Sequence, residues 1–137
     1  MRFKTVAILG STGSIGQSTL EIIKKTRKFK VVLIVANSND LKILSQIKNF
    51  KPKIVVINDK PTFIKVKKKN KFKKIIILNS LNQIQKYIKN IDVTVSAIPG
   101  IAGLEPTLSF INLSKKILLA NKESIVCGWN LIKKKSI

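Results

Sequence analysis

The sequence predicts an α/β fold because short apolar runs alternate with segments of helical periodicity along the whole chain. Regular strand–helix alternation is typical of a parallel sheet with right-handed crossovers. The apolar runs are rich in β-branched residues and lack polar alternation, as expected for strands covered on both faces. A glycine-rich turn follows the first run. The expected architecture is therefore a Rossmann-like doubly wound parallel sheet of about six strands.

The elements can be assigned in chain order from these periodicities. Strands are predicted at residues 5–9, 31–36, 54–57, 75–78, 93–97 and 116–120. Helices are predicted at residues 14–26, 40–50, 61–69, 81–89, 104–113 and 122–134. Asp40 suits an N-cap and Pro61 a first helical position. No boundary, repeat or linker interrupts the pattern, so residues 1–137 are predicted to form one domain.

Three glycines, Gly10, Gly13 and Gly16, separate the first predicted strand from the first helix. Gly10 can adopt backbone angles denied to other residues, Gly13 leaves the main chain open to a phosphate, and Gly16 allows close helix packing. The helix N-terminus adds free N–H groups and a partial positive charge, and the hydroxyls of residues 11, 12 and 14 add donors. The turn therefore predicts a site for a nucleotide diphosphate, and a plain strand–helix turn is the alternative.

The net charge of +21 bears on the choice of partner, since a basic chain can bind nucleic acid. However, 25 of the 27 basic residues are lysines, and isoleucine and asparagine are also abundant. These three residue types share A/T-rich codons, so we attribute the charge to genome composition. A protein selected to bind phosphates would use more arginine. A nucleic-acid-binding protein, with aromatic residues interleaved with arginine, is an alternative.

Several classes of site are excluded by composition. Cys127 is the only cysteine and histidine is absent, which excludes an internal disulfide and a zinc site of the usual kind. No stretch reaches the ~20 apolar residues of a membrane helix, and no signal peptide precedes the first strand. We therefore expect a cytoplasmic protein that binds neither membrane nor nucleic acid.

The end of the second predicted strand indicates which cofactor is bound. In this fold an acidic residue there bonds the ribose hydroxyls of NAD, whereas neutral or basic residues admit the 2′-phosphate of NADP. Asn37, Ser38 and Asn39 occupy this position and none is acidic. The sequence therefore favours NADPH, although these residues are also compatible with a plain polar loop.

Two later strand ends also carry features of a ligand site, because ligands of open α/β sheets bind at carboxyl ends of strands. Residues 98–103 contain glycines that would let the chain pass close to a cofactor, although a plain loop before a helix would also contain them. Asn121, Lys122 and Glu123 follow the last predicted strand and could bond the nicotinamide half, an anionic substrate and the cofactor ribose. Helix capping by Asn121 and Glu123 is the alternative for those two residues.

The segments GSTGSIG, AIPGIAGL and LLANKES, in this order and spacing, resemble the 1-deoxy-D-xylulose 5-phosphate reductoisomerase family. The resemblance implies an enzyme of the non-mevalonate isoprenoid pathway that rearranges a sugar phosphate with a divalent metal, Mg or Mn, and reduces the product with NADPH. It implies a homodimer. It also implies cofactor contacts at Thr12, Gly13, Ser14, Ile15, Asn37, Ser38, Asn39, Asn121 and Glu123, and a substrate contact at Lys122.

The chain also departs from the pattern of that family. Many members carry Gly-Lys where this chain has Asn37-Ser38, so this chain lacks the lysine that would bind the 2′-phosphate there. Members are much longer and carry their Asp-Ser-Glu metal motif further along, so neither metal ligands nor catalytic residues are expected in this chain. We expect the N-terminal cofactor-binding part of a longer enzyme, or a shortened gene product. A generic NAD(P)-dependent dehydrogenase is an alternative, but Tyr87 lacks the Lys four residues later that such enzymes use.

Overall fold

The computed structural model describes residues 2–120 and the helix backbone of residues 122–136, with side chains at residues 122 and 128–135. The strands are β1 (Lys4–Leu9), β2 (Phe29–Ala36), β3 (Ile54–Ile57), β4 (Ile76–Leu78), β5 (Ile91–Ser96) and β6 (Ser114–Leu119). The helices are α1 (Ser14–Thr26), α2 (Asp40–Phe50), α3 (Lys60–Lys69), α4 (Leu104–Ile111) and α5 (Lys122–Ser136). None of the described helices is long and apolar enough to cross a membrane.

All six strands form one parallel sheet with the order β4-β3-β2-β1-β5-β6. The strand order reverses at β1, which pairs with β2 on one side and with β5 on the other. In open α/β sheets the chain crosses to opposite faces on either side of such a point, which leaves a crevice at the carboxyl ends of the strands. The predicted fold class is confirmed, and the glycine-rich turn lies at this reversal.

The core lies on both faces of the sheet. On one face, apolar residues of α1, α2 and α3, among them Leu20, Ile43 and Val66, pack against β-branched residues of the strands. On the other face Phe110 of α4 and Ile84 fill the corresponding layer. β3 is fully buried along its length. A sheet covered on both faces accounts for the continuous apolar runs of the sequence.

Two local predictions were wrong. The helix predicted at residues 81–89 is only a 3₁₀ turn at Ile84–Lys86, because Gln83 takes a left-handed φ of 63° and the buried Ile84 and Ile88 suffice to cover the sheet there.

The second wrong prediction concerns the start of α2, whose N-cap is Asn39 and not Asp40. The side-chain oxygen of Asn39 accepts the Lys42 N–H at 3.1 Å. Asp40 is already helical, and its charge near the helix N-terminus is favourable.

An ionic cluster joins β1 and β5 at the end of the sheet opposite the crevice. The Asp92 carboxylate accepts the Thr5 backbone N–H at 2.8 Å and pairs with Arg2 and Lys115 at 3.2 and 3.3 Å. The bond from the Thr5 backbone N–H is the largest of several effects that together lower the pKa of Asp92 from 3.8 to about 2. The carboxylate is therefore more easily ionised in the folded chain than in the unfolded one.

We expect Asp92→Asn to lower the melting temperature at pH 7 and to have less effect as the solution is acidified. The folded pKa lies below the ordinary value, so the contribution of this carboxylate is complete above about pH 4 and is lost as the pH falls through about 2. Melting curves of both proteins across that range measure it. Glu21→Gln, which removes an exposed carboxylate, controls for net charge. A difference in melting temperature that does not change with pH would contradict the expectation.

Candidate functional site

A cleft of about 420 Å³ opens where the strand order reverses. It lies at the carboxyl ends of β1, β2 and β3 and beside the loop that follows β5. Its volume falls within the range of small-molecule and cofactor sites. The cleft is lined by Gly10, Thr12, Gly13, Val35, Ala36, Asn37, Asn58, Ile98, Pro99, Ala102 and Pro106.

Two glycines fix the turn between β1 and α1 by making close approaches that no side chain would permit. Gly10 has a φ of 88°, and a Cβ there would lie 2.8 Å from the Ala97 carbonyl oxygen. A Cβ at Gly16 would lie 2.1 Å from the Gly10 carbonyl oxygen. Gly10 therefore allows the turn to pack against the loop after β5, and Gly16 allows α1 to pack against the turn. Gly13 is different, since a Cβ there would meet only the Gly10 carbonyl oxygen, at 3.7 Å.

The first turn of α1 presents unpaired N–H groups beside the cleft. Gly13 is the N-cap and offers no side-chain cap. The first backbone bond into the helix runs from the Gln17 N–H to the Gly13 carbonyl at 2.9 Å. Within the described residues, the amides of Ser14 and Ile15 donate to no acceptor. Open amides and the positive end of the helix dipole make this position suitable for an anion.

Two glutamines, which no motif in the sequence marks, hold the carbonyl groups of the turn. Gln17 donates from Nε2 to the Thr12 carbonyl, and Gln46 of α2 donates from Nε2 to the Ser11 carbonyl, both at 2.8 Å. The amides of Gly10 and Ser11 both donate to the Val35 carbonyl of β2, at 2.8 and 3.1 Å. The turn is thus fixed from β2, α1 and α2 before any ligand binds.

The end of β2 brings three predicted residues to the edge of the cleft. Asn37, Ser38 and Asn39 are exposed there, and Asn37 lines the cleft. In the described part of the chain, the side chains of Asn37 and Ser38 make no hydrogen bond, whereas the Asn39 oxygen is occupied in capping α2. Asn37 and Ser38 can therefore donate to a ligand without giving up a protein contact.

The loop after β5 forms the apolar wall of the cleft. Ile98, Pro99 and Ala102 face the polar wall made by Thr12 and Asn37. None of the lining residues is ionisable. A neutral cleft with one apolar wall and one helix N-terminus suits an elongated ligand that carries an anionic group between less polar ends.

Ser11 does not act as the hydroxyl donor expected from the sequence. Its side chain is fully buried, and its Oγ has no hydrogen-bond partner among the described residues. Thr12 and Ser14 keep the expected accessibility, since Thr12 is half-buried and Ser14 is exposed. The fold buries residue 11 and leaves residues 12 and 14 accessible, which the sequence does not reveal.

The predicted residues after β6 are only partly covered by the structure. Lys122 is exposed at the start of α5. Asn121 lies outside the described residues, and so does the side chain of Glu123. Among the side chains that are described, no three His, Cys, Asp or Glu residues lie together in a group that could hold a metal ion.

Comparisons with known proteins agree with this geometry. Residues 6–128 match the model of the 1-deoxy-D-xylulose 5-phosphate reductoisomerase family. The chain is 47% identical over 135 residues to the reductoisomerase of Pelagibacter ubique and 46% identical over 132 residues to that of Buchnera aphidicola. These matches cover 96% and 91% of this chain but only 35% and 33% of the relatives. The chain thus spans about a third of their length.

Solved structures give the same result. The reductoisomerase of Zymomonas mobilis in complex with NADPH is 32% identical and superposes with a TM-score of 0.87 over 98% of this chain and 36% of that one. A reductoisomerase in complex with NADPH, fosmidomycin and magnesium is also 32% identical, with a TM-score of 0.87.

Proposed function

The chain belongs to the 1-deoxy-D-xylulose 5-phosphate reductoisomerase family, and we propose that it forms the NADPH-binding part of such an enzyme. We further propose that residues 1–137 act as one Rossmann-type domain. The single observation that carries the proposal is the turn between β1 and α1, whose open amides face a cleft at the point where the sheet order reverses.

The diphosphate of the cofactor would lie at the N-terminus of α1. Thr12, Ser14 and Ile15 would supply backbone N–H groups, Gly13 would let a phosphate come close to the main chain, and the hydroxyls of Thr12 and Ser14 would add donors. The exposed position of Gly13 and Ser14 supports this role, because a phosphate can approach both without displacing a side chain.

The two ends of NADPH would extend from the diphosphate in opposite directions along the carboxyl edge of the sheet. The adenosine end would lie at the end of β2, where Asn37, Ser38 and Asn39 can donate to the 2′-phosphate. The nicotinamide end would lie against the loop after β5, and Asn121 and Glu123, which follow β6 in the sequence, would contact it. The free side chains of Asn37 and Ser38 support the adenosine assignment.

NADPH supplies a hydride when bound, and this chain's contribution would be to bind and orient it. In the whole enzyme the substrate would be 1-deoxy-D-xylulose 5-phosphate and the product 2-C-methyl-D-erythritol 4-phosphate, with Lys122 as a point charge for the substrate phosphate. The described residues do not fit the divalent metal, because they contain no cluster of ligands. We therefore assign no metal-dependent step to this chain.

The partners and location follow from the same assignment. We propose a cytoplasmic protein whose partner is a small sugar phosphate, with no role for nucleic acid or a membrane surface. A homodimer is proposed from the family resemblance alone.

A titration of the 137-residue chain with NADPH, followed by the fluorescence of the reduced nicotinamide, tests the proposed function. We expect saturable binding that is tighter for NADPH than for NADH, since no acidic residue at the end of β2 repels the 2′-phosphate. No binding of NADPH, or tighter binding of NADH, would contradict the proposal.

We expect Asn37→Asp to weaken NADPH binding about tenfold and to leave NADH binding unchanged or stronger, because the new carboxylate repels a phosphate but can bond ribose hydroxyls. Parallel titrations with the two cofactors measure the change in preference. Asn49→Asp makes the same change in the last turn of α2, outside the cleft, and should leave both affinities unaltered. Equal losses for NADPH and NADH would show that residue 37 does not face the 2′-phosphate.

A further inference from the structure

We infer that Gln46 is a positioning residue for the diphosphate, because its side-chain amide holds the Ser11–Thr12 peptide so that the Thr12 N–H faces the cleft. This inference rests on the proposed function, since it assigns a role toward the same cofactor. Gln46 does not line the cleft and would not touch the ligand. Its effect would pass through one backbone peptide.

The contact joins two parts of the chain that are distant in sequence. Nε2 of Gln46, in the second turn of α2, donates to the Ser11 carbonyl oxygen at 2.8 Å across 35 positions. Gln46 is only 7% exposed and Ser11 is fully buried, so water does not compete for this bond. Asn39, the N-cap of α2, lies beside the expected adenosine end, so this one helix adjoins the expected adenosine site and, through Gln46, the turn that would hold the diphosphate.

The planarity of the peptide bond converts this contact into a direction for a donor. The described chain has no cis peptide, and in a trans peptide the N–H points opposite to the C=O. With the Ser11 carbonyl held toward Gln46, the Thr12 N–H is directed away from α2. Thr12 lines the cleft, and its N–H meets no acceptor among the described residues. It is therefore available to an anion in the cleft.

The next peptide provides a matched comparison. The Thr12 carbonyl accepts a bond from Gln17, also at 2.8 Å. However, the N–H of that peptide, on Gly13, already donates to the Gly10 carbonyl at 3.3 Å. The second glutamine therefore orients a peptide whose donor is used within the turn. Of these two glutamines, Gln46 is the one that orients a peptide whose donor is left for a ligand.

Fold stability alone does not explain the amide at position 46. Its Oε1 and the Oγ of Ser11 are both buried and have no partner in the described part of the chain. Buried polar atoms without partners destabilise a fold, and a side chain of similar size without an amide would avoid one of them. A glutamine at this position is accounted for by the donor that it provides to the Ser11 carbonyl.

Gln46→Met and Gln17→Met test the inference, because each keeps side-chain length and removes one donor to the turn. NADPH titration should give a dissociation constant about tenfold higher for Gln46→Met and within about twofold of the wild type for Gln17→Met. Melting curves show whether each variant is folded. In the wild type, the ¹⁵N–¹H resonance of Thr12 should shift more on addition of NADPH than that of Gly13. This measurement requires no variant, so the inference stays testable even if Gln46→Met does not fold.

The outcomes separate this inference from the proposed function. Failure of the wild type to bind NADPH would overturn both. NADPH binding by the wild type with equal affinities in a folded Gln46→Met, or with a Thr12 amide that does not respond, would overturn the role of Gln46 and leave the proposed function standing. Equal weakening by the two methionine variants would show that any loosening of the turn suffices, which would also overturn it.

Discussion

Gly16→Ala should lower the stability of the domain by about 3 kcal/mol or more. The added methyl group would lie 2.1 Å from the Gly10 carbonyl oxygen and 2.8 Å from the Ser11 Cα. Both are backbone atoms of a turn fixed by β2 and α2, so they cannot move aside as a flexible side chain could. α1 would have to shift away from the turn, and the buried contacts of Leu20 and Ile23 with the sheet would loosen.

Thermal unfolding followed by circular dichroism measures this effect, and we expect a drop of about 10 °C in the melting temperature. Gly13→Ala is the matched control, because it makes the same change three positions earlier, where only ordinary contact distances result. If Gly16→Ala melted at the wild-type temperature, α1 would not be seated on the turn as the structure has it.

Gly13→Ala should weaken NADPH binding about 30-fold without unfolding the protein. Its backbone angles, φ −76° and ψ 174°, suit alanine. Alanine reduces the conformational entropy of the unfolded chain, which stabilises the fold, but it is a poorer N-cap residue than glycine. Because these two effects oppose each other, the melting temperature should stay within about 2 °C of the wild type. The new methyl group, however, would occupy the open space beside the amides of Ser14 and Ile15. A phosphate could then no longer reach the helix N-terminus closely.

Calorimetric titration with NADPH measures the loss, and Ser18→Ala serves as its control. Ser18 is exposed on the same helix and lies outside the cleft, so its replacement should change neither affinity nor stability. Unchanged NADPH affinity in Gly13→Ala would remove the turn from the binding site. Together the two variants distinguish Gly16, which the packing of α1 on the turn requires, from Gly13, which leaves space for a ligand.

The sheet could be predicted from the sequence because its signals are local and repeated. Each strand is a short run of β-branched residues, and the helices between them show apolar spacing that places residues such as Leu20 and Ile23 on one face. The helix prediction for residues 81–89 was wrong because the few apolar residues of this segment fit a helix as well as a turn. Its conformation is set by Gln83 and by the fit of two isoleucines to the sheet, which are tertiary effects.

The candidate site could be predicted at positions where the backbone geometry permits only one residue type. A glycine at residue 10 is required by its positive φ, and one at residue 16 by the approach of α1. Polar side chains have several uses, and the sequence alone does not tell which of them each residue serves. Asn39 caps a helix, Ser11 is buried, and Gln46 reaches the turn from 35 positions away. No local pattern distinguishes these roles, because they depend on which surfaces the fold brings together.

A crystal structure of the chain grown with NADPH would test the central claim most directly. We expect diphosphate oxygens about 3 Å from the backbone nitrogens of Ser14 and Ile15, with the adenosine end beside Asn37. A cofactor bound elsewhere, or a turn whose amides are closed off by protein groups while NADPH binds in solution, would contradict the assignment of this turn as the diphosphate site.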